Sequence, residues 1–297
     1  MRSAAKKLPP PAFNYQKAFS RNLGIVSESE QLTLREKHVA IPGCGGVGSI
    51  HALALARMGI GNFTIADFDQ YEIENFNRQF GAKQSTIGKS KVDVVRREIL
   101  EINPSANVRV FDEPIGAGNV DDFLAGVDVV VDSLDFFAFS ARDALFPAVQ
   151  RKGLWLVTAA PLGLSCALLV FSGESMDYWR YFNFKESDTP VTRAIKFAIG
   201  LAPAGLHIKY MDRSRIDLKS GKGPSHAIGV IECSAMAATE VLKILLQRGV
   251  IRAVPHFSQF DVYRAKYRKG VLWGGNRNPW QRFKIWYFTR FLLKNVR

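Results

Sequence analysis

The sequence predicts an α/β fold: a doubly wound, mostly parallel sheet with an antiparallel C-terminal part. Three observations lead to it. Short apolar runs alternate with amphipathic helical stretches through the first half of the chain. A glycine turn, GCGGVG at 43–48, joins the first apolar run to a long helical stretch. Two later apolar runs, LWLVTAA and LSCALLVF, are separated only by Pro161-Leu162-Gly163, as two buried strands joined by a turn would be.

Taken in order, MRSAAKKLPPP is basic and lacks an apolar stretch behind it, so it does not read as a signal peptide, and residues 1–19 read as a disordered arm. SESEQLTLREK predicts a helix, with Ser27 as N-cap and Glu30 three residues on. HVAIP is a short buried strand. SIHALALARM is a helix stopped by Gly59, and NFTIADFD is the second strand. KSKVDVVRREILEI carries Val92, Val95, Ile99 and Ile102 on one stripe and ends at Asn103-Pro104. NVRVFDEPI and VDVVVDS are the third and fourth strands. The uncharged stretch 153–173 is long enough to pass for a membrane span, but its central proline and glycine favour two strands. Residues 174–227 read as polar, aromatic-bearing loops with one short helix, TRAIKFAIGL. IGVIECSAMAATEVLKILLQRG reads as a long buried helix, and HFSQFDVYRAKYRKG as one late strand.

Composition sets limits on function. The chain has 297 residues, 47% hydrophobic and 23% charged, which is ordinary globular composition. Cys44, Cys166 and Cys233 form no CxxC pair, which argues against a disulfide framework and a cysteine-rich structural zinc site, and favours a reducing, cytoplasmic setting. His207, His226 and His256 lack metal-ligand spacing. The net charge of +13 is uneven: ten Lys and Arg follow Asp261, with no Asp or Glu among them.

The glycine turn points to a nucleotide. In GxGxxG spacing, Gly43 permits a tight turn, Gly45 lets backbone approach phosphate, and Gly48 lets helix pack on sheet. The helix N-terminus offers free amides to an anion. Asp67, ending the next strand, could take ribose hydroxyls. So far NAD would fit. The segment that follows, DFDQYEIENFNRQFGAKQSTIGKSK, fits it poorly. Asp69, Asn75, Arg78, Gln79, Lys89 and Lys91 crowd into 25 residues, and a nucleoside triphosphate needs such charges where a neutral nicotinamide does not.

The motifs GCGGVGS, DFDQYEIENFNRQF, IGKSKVD, INP and VDSLD, in this order and spacing, resemble the ubiquitin-activating-enzyme-like adenylating proteins, the ThiF/MoeB/HesA superfamily. The resemblance implies a Rossmann-like domain over 20–263, with 174–227 as its crossover and substrate-loop region. It implies that Gly43, Gly45, Gly46 and Gly48 line the phosphates of ATP, and that Asp67 and Asp69 lie beside the nucleotide. Asn75, Arg78 and Lys91 would contact phosphate, with Gln79 in support. Asp135 would hold magnesium. Arg21 would reach the neighbouring subunit's site in a homodimer. The catalytic set would be Arg78, Lys91, Asp135 and Arg21. The acceptor would be a carboxylate, such as the C-terminus of a ubiquitin-fold protein or a peptide, activated as its acyl-adenylate. Three departures stand out: the two CxxC pairs that many members use for structural zinc are missing, Phe136 follows Asp135 where the family commonly has Asn, and 174–227 holds no cysteine for thioester transfer.

Two other functions compete. A non-catalytic nucleotide-binding scaffold of the same fold would explain the departures. An NAD-dependent oxidoreductase would explain only the glycines and Asp67. Residues 264–297 form a basic, aromatic arm. If 279–297 is helical, Trp280, Phe283, Tyr287 and Phe291 share one face and Arg290, Lys294 and Arg297 another. That composition suits an anionic membrane surface at which the protein would be peripheral, suits nucleic acid less well, and also suits packing on a dimer.

Overall fold

The computed structural model describes residues 12–216 and 223–294. Its elements in chain order are α1 (Tyr15–Ala18), α2 (Glu28–Glu36), β1 (His38–Pro42), α3 (Gly46–Arg57), β2 (Asn62–Ala66), α4 (Lys91–Ile102), β3 (Asn107–Phe111), α5 (Val120–Phe123) and β4 (Val129–Asp132). There follow α6 (Phe139–Arg151), β5 (Trp155–Pro161), β6 (Ser165–Phe171), α7 (Tyr178–Phe182), α8 (Pro190–Leu201), α9 (Ala227–Leu245), β7 (His256–Asp261), β8 (Lys266–Val271) and α10 (Pro279–Lys294).

The eight strands form one sheet in the order β3-β2-β1-β4-β5-β6-β7-β8. β1 to β5 pair in parallel, and β6, β7 and β8 continue antiparallel, as the sequence predicts. Alternate residues of each central strand face opposite sides. Val39, Ile41, Val129 and Val131 enter a core with α3, α4 and α9. Ala40 and Val130 enter a second core with α5 to α8. Burial on both faces explains why these strands read as unbroken apolar runs. Strand order reverses between β1 and β4, and this switch point opens a crevice at the carboxyl ends of the strands.

Local signals hold where they are strong. Ser27 and Glu30 close the expected capping box on α2. The uncharged stretch 153–173 is the hairpin of β5 and β6. Among the described residues no helix is long and apolar enough to cross a membrane.

Three expectations need correction. The disordered arm does not extend to residue 19: α1 is helical, Tyr15 and Phe19 are buried, and the Tyr15 hydroxyl donates to the Gly59 carbonyl at 2.6 Å. Residues 1–11 of that arm lie outside the described residues. The aromatic stretch in 174–227 is packed structure: Tyr178, Tyr181, Phe182 and Phe184 are core, because rings at close spacing bury more area than their polar neighbours cost. The boundary at 263 cuts a hairpin, since the single late strand is two strands, β7 and β8, paired across the turn.

Candidate functional site

Bare backbone builds the floor of the crevice. Gly43 has φ +94°, and a β-carbon there would meet the Ser133 carbonyl oxygen at 2.3 Å. One at Gly48 would meet the Gly43 oxygen at 1.8 Å. Both contacts are backbone, so neither can yield. Gly45 is the N-cap of α3 and has no side chain to satisfy the first-turn amides. Those amides and the helix dipole suit an anion.

The 67–91 loop closes over this floor. It leaves at Asp67 and returns at Lys91, held by paired backbone bonds between 69–71 and 88–91. Asp67 accepts from the Cys44 amide at 2.6 Å and the Asp69 amide at 2.9 Å. Burial nonetheless raises its pKa. Each of its oxygens keeps a lone pair for a hydroxyl. Tyr71, fully buried, reaches the Cys44 carbonyl and ties the loop down. Lys91, nearly buried, pairs with Asp69 at 2.9 Å.

The predicted residues divide into three groups. Gly43, Gly45, Gly46, Gly48, Asp67, Asp69 and Lys91 are joined by these contacts. Gln79 is buried against Gly45, and its Oε1 has no hydrogen-bond partner, an orphaned polar atom beside a phosphate-sized floor. Asn75 is turned inward: its side-chain oxygen accepts from the Glu72 amide and closes the turn that presents Arg78. Arg78 packs its stem near Gly46 while its guanidinium rests on the Glu74 carbonyl and the Asn77 side chain. Asp135 lies on the β4–α6 loop, whose Leu134 amide is 3.3 Å from a β-carbon built on Gly43. Its Oδ1 accepts from the Phe137 amide, and the side chain is otherwise exposed. One open carboxylate oxygen beside phosphates fits magnesium, which takes one or two carboxylates together with substrate oxygens. Arg21 does not join its own chain's site. Its neighbour Asn22 bonds the carbonyls of Arg57 and Met58, at the far end of α3, about 18 Å from the glycine turn.

Sequence reasoning missed Arg142. It is buried, pairs with the buried Asp132 at 3.1 Å, and donates to the carbonyls of Leu134, Asp135 and Phe136. It therefore sets the shape of the loop that carries Asp135. Its guanidinium also lies 4.7 Å from the Phe197 ring centre. The available signal was an Arg-Asp pair in an otherwise apolar helix, FSARDALFPAV. Phe136 packs on Phe137 and Phe197. The three cysteines are free and buried, and burial pushes the Cys44 and Cys233 thiols up, as suits core residues.

At the same edge, under the β5–β6 turn, Glu232 of α9 is buried near Asp261. Burial first, then the charge of Asp261, pushes its pKa up to about 7.

Two outcomes follow. Replacing Arg142 by Met strands the Asp132 carboxylate and should cost about 3–5 kcal/mol in urea unfolding. Arg142→Lys keeps a charge but cannot span three carbonyls, so it should recover only part of that loss. The folded chain holds the Glu232 proton to about 7, against 4.5 ordinarily. Its stabilising contribution is thus complete below the ordinary value and lost as pH rises through 7. Glu232→Gln should flatten this fall and raise Tm by a few degrees above neutrality, with little change in acid. Equal Tm at all pH values would refute the assignment.

Comparison with known proteins gives the family and the fold. The ThiF family model matches residues 19–278. The chain is 38% identical over 151 residues to the tRNA threonylcarbamoyladenosine dehydratase of Haemophilus influenzae, covering 50% of this chain and 57% of that protein. It is 34% identical over 148 residues to ubiquitin-like modifier-activating enzyme 5 of Caenorhabditis elegans, covering 46% and 34%. The chain thus spans about half the length of the first of these relatives and a third of the second. The fold is shared with the E. coli MccB structure solved with ATP, at a TM-score of 0.64 and 23% identity, covering 87% of this chain and 71% of that one. With its switch-point glycine floor, its closed 67–91 loop and a family match over most of its length, this chain belongs to the ThiF family.

Proposed function

We propose that the chain is an ATP-dependent, ThiF-type adenylyltransferase that converts a carboxylate to its acyl-adenylate and releases pyrophosphate. The observation that carries this reading is the 67–91 loop, which folds back so that Lys91, Asp69 and the orphaned Gln79 oxygen stand against the glycine floor.

A carboxylate is already ionised at neutral pH, so the reaction needs no general base. Its oxygen attacks the α-phosphorus, the bond to the pyrophosphate oxygen breaks, and the leaving group departs with that electron pair. The task left to the protein is positioning and charge neutralisation. The first-turn amides of α3 hold phosphate and Asp67 takes the ribose. Lys91 and Arg78 face the phosphates, and Asn75 shapes the turn that presents Arg78. Magnesium, held by Asp135, would neutralise phosphate charge. For Arg78 this requires the guanidinium to leave the Glu74 carbonyl and swing toward the floor, a rotamer change at a half-exposed side chain.

Arg21 would act from a second copy of the chain. Its distance from its own site supports this, as do the exposed apolar residues around the crevice, Phe68, Ile73, Phe76 and Phe80, which a second copy would cover. The acceptor would be a carboxylate-bearing peptide or a ubiquitin-like protein, in line with the name of the C. elegans relative. Buried cysteines and a crossover region without any favour direct capture of the adenylate by an outside nucleophile, and support a reducing, cytoplasmic setting. A second reading, a nucleotide-binding scaffold without turnover, draws on Phe136, which packs into the aromatic core instead of offering a polar group.

ATP–pyrophosphate exchange with candidate carboxylates separates the two. Exchange should fall about 100-fold or more in Arg78→Ala and Asp135→Ala. Magnesium-ATP binding without exchange for any carboxylate would favour the scaffold, and no binding at all would sink both. Mixing Arg21→Ala with Arg78→Ala should restore about a quarter of wild-type exchange, since half the dimers then hold one intact site. No recovery on mixing would place Arg21 outside the reaction.

A further inference from the structure

The helix α10 is docked the wrong way round for a helix seeking a core. Its buried side is polar. Gln281 is 1% exposed and donates to the Ile199 carbonyl and the Asn276 side chain. Lys284 donates to the Pro203 carbonyl and to Gln281. These bonds cap the C-terminal end of α8, where carbonyls lack helical partners. Asn276 locks the arrangement from below by donating to the carbonyls of Phe182 and Lys196. The outward side carries the apolar rings. Trp280, Phe283 and Trp286 are 65%, 49% and 56% exposed, with Arg282 and Arg290 beside them. A contiguous aromatic patch facing outward on a firmly anchored helix marks an interaction surface.

We infer that this face of α10 binds the surface of an anionic phospholipid membrane. Charge complementarity selects that occupant. No acidic residue follows Asp261, so nothing on this part of the chain offsets the arginines that flank the rings. Aromatic rings at the headgroup level with arginines reaching lipid phosphates are the composition such a surface favours. A second copy fits less well, because a two-fold contact would press two basic faces together, neither of which offers the arginines a carboxylate from this helix. Single-stranded RNA also fits less well. Trp280 and Phe283 stack on each other at 5.4 Å and 18°, and Phe283 and Trp286 lie 5.9 Å apart, so the rings form one apolar raft with no open slots for bases. Phe291, Lys294 and Arg297 lie outside the described side chains.

Vesicle flotation of the full chain tests this, with phosphatidylcholine vesicles against phosphatidylcholine–phosphatidylserine vesicles. Binding should require phosphatidylserine, weaken with salt, and shift the tryptophan emission to the blue. Trp280→Gln with Phe283→Gln and Trp286→Gln should weaken binding about tenfold or more, and Arg282→Glu with Arg290→Glu by a similar factor. All five residues are exposed, so both variants should keep the wild-type Tm and ATP–pyrophosphate exchange, which reports on the separate crevice. Equal binding to both vesicle types, or none, would overturn the proposal. So would a larger hydrodynamic size in the absence of lipid that the aromatic variant abolishes, since that outcome assigns the face to a second copy. RNA binding lost in the aromatic variant without vesicle binding would assign it to nucleic acid.

Discussion

The contact that the rest of the site depends on is backbone against backbone at the switch point. The oxygen of Gly43 lies where a β-carbon of Gly48 would sit, and the oxygen of Ser133 lies where one of Gly43 would sit. Two loops and a helix end therefore meet without side chains between them. This close approach brings the N-terminus of α3 to the sheet edge and sets the β4–α6 loop beside it. A methyl group at either glycine would push these parts open by more than a packed core can absorb. The crevice exists because the polypeptide there is reduced to its backbone.

Around that contact, buried charge serves as scaffolding. Asp67 is held by amides and Asp132 by Arg142 and Thr158, while the buried Lys91 is held by the exposed Asp69. Each carboxylate fixes a loop end, and a buried carboxylate without such partners would be costly enough to deform the loop or take up a proton. Glu232 illustrates the second outcome: buried near Asp261, it holds its proton to about 7. Asp135 stays open on the loop beside Gly43, giving one oxygen to the Phe137 amide. This division between paired and open charges is how many polar residues fit around the glycine floor.

Legibility in the sequence followed the range of the interaction responsible. The capping box of α2 depends on residues three apart, so Ser27 and Glu30 announced it. The glycine floor was readable because glycine takes the positive φ of Gly43 without strain and leaves room for backbone contact at Gly43 and Gly48. The parallel part of the sheet followed from apolar runs alternating with helices and the rule that parallel strands need crossovers. Arg142 was not readable, since its partners are three carbonyls and a strand-end carboxylate that become neighbours only when α6 folds back over β4. Tyr15 was hidden by the same cause: the groups that hold it are Gln31 and the Gly59 carbonyl, far along the chain. The polar-looking stretch of 174–227 misled because its rings find each other across elements, including Phe139, Phe171 and Phe197, which local composition does not reveal.

By itself, then, the sequence determined the class of fold, the nucleotide-like floor and the family, because those rest on local stereochemistry and on the identity of residues at fixed spacing. Tertiary structure alone decided which of those residues become neighbours. It set Gln79 and Lys91 against the floor, turned Asn75 inward to shape a turn, and placed Arg21 at the far end of α3, out of reach of its own site. It also decided which face of α10 is seen from outside. The helical spacing of its aromatic residues left surface binding and packing both open. The carbonyls at the end of α8 claimed Gln281 and Lys284, since unsatisfied carbonyls hold a polar side chain more firmly than a core that is already closed can draw in a ring.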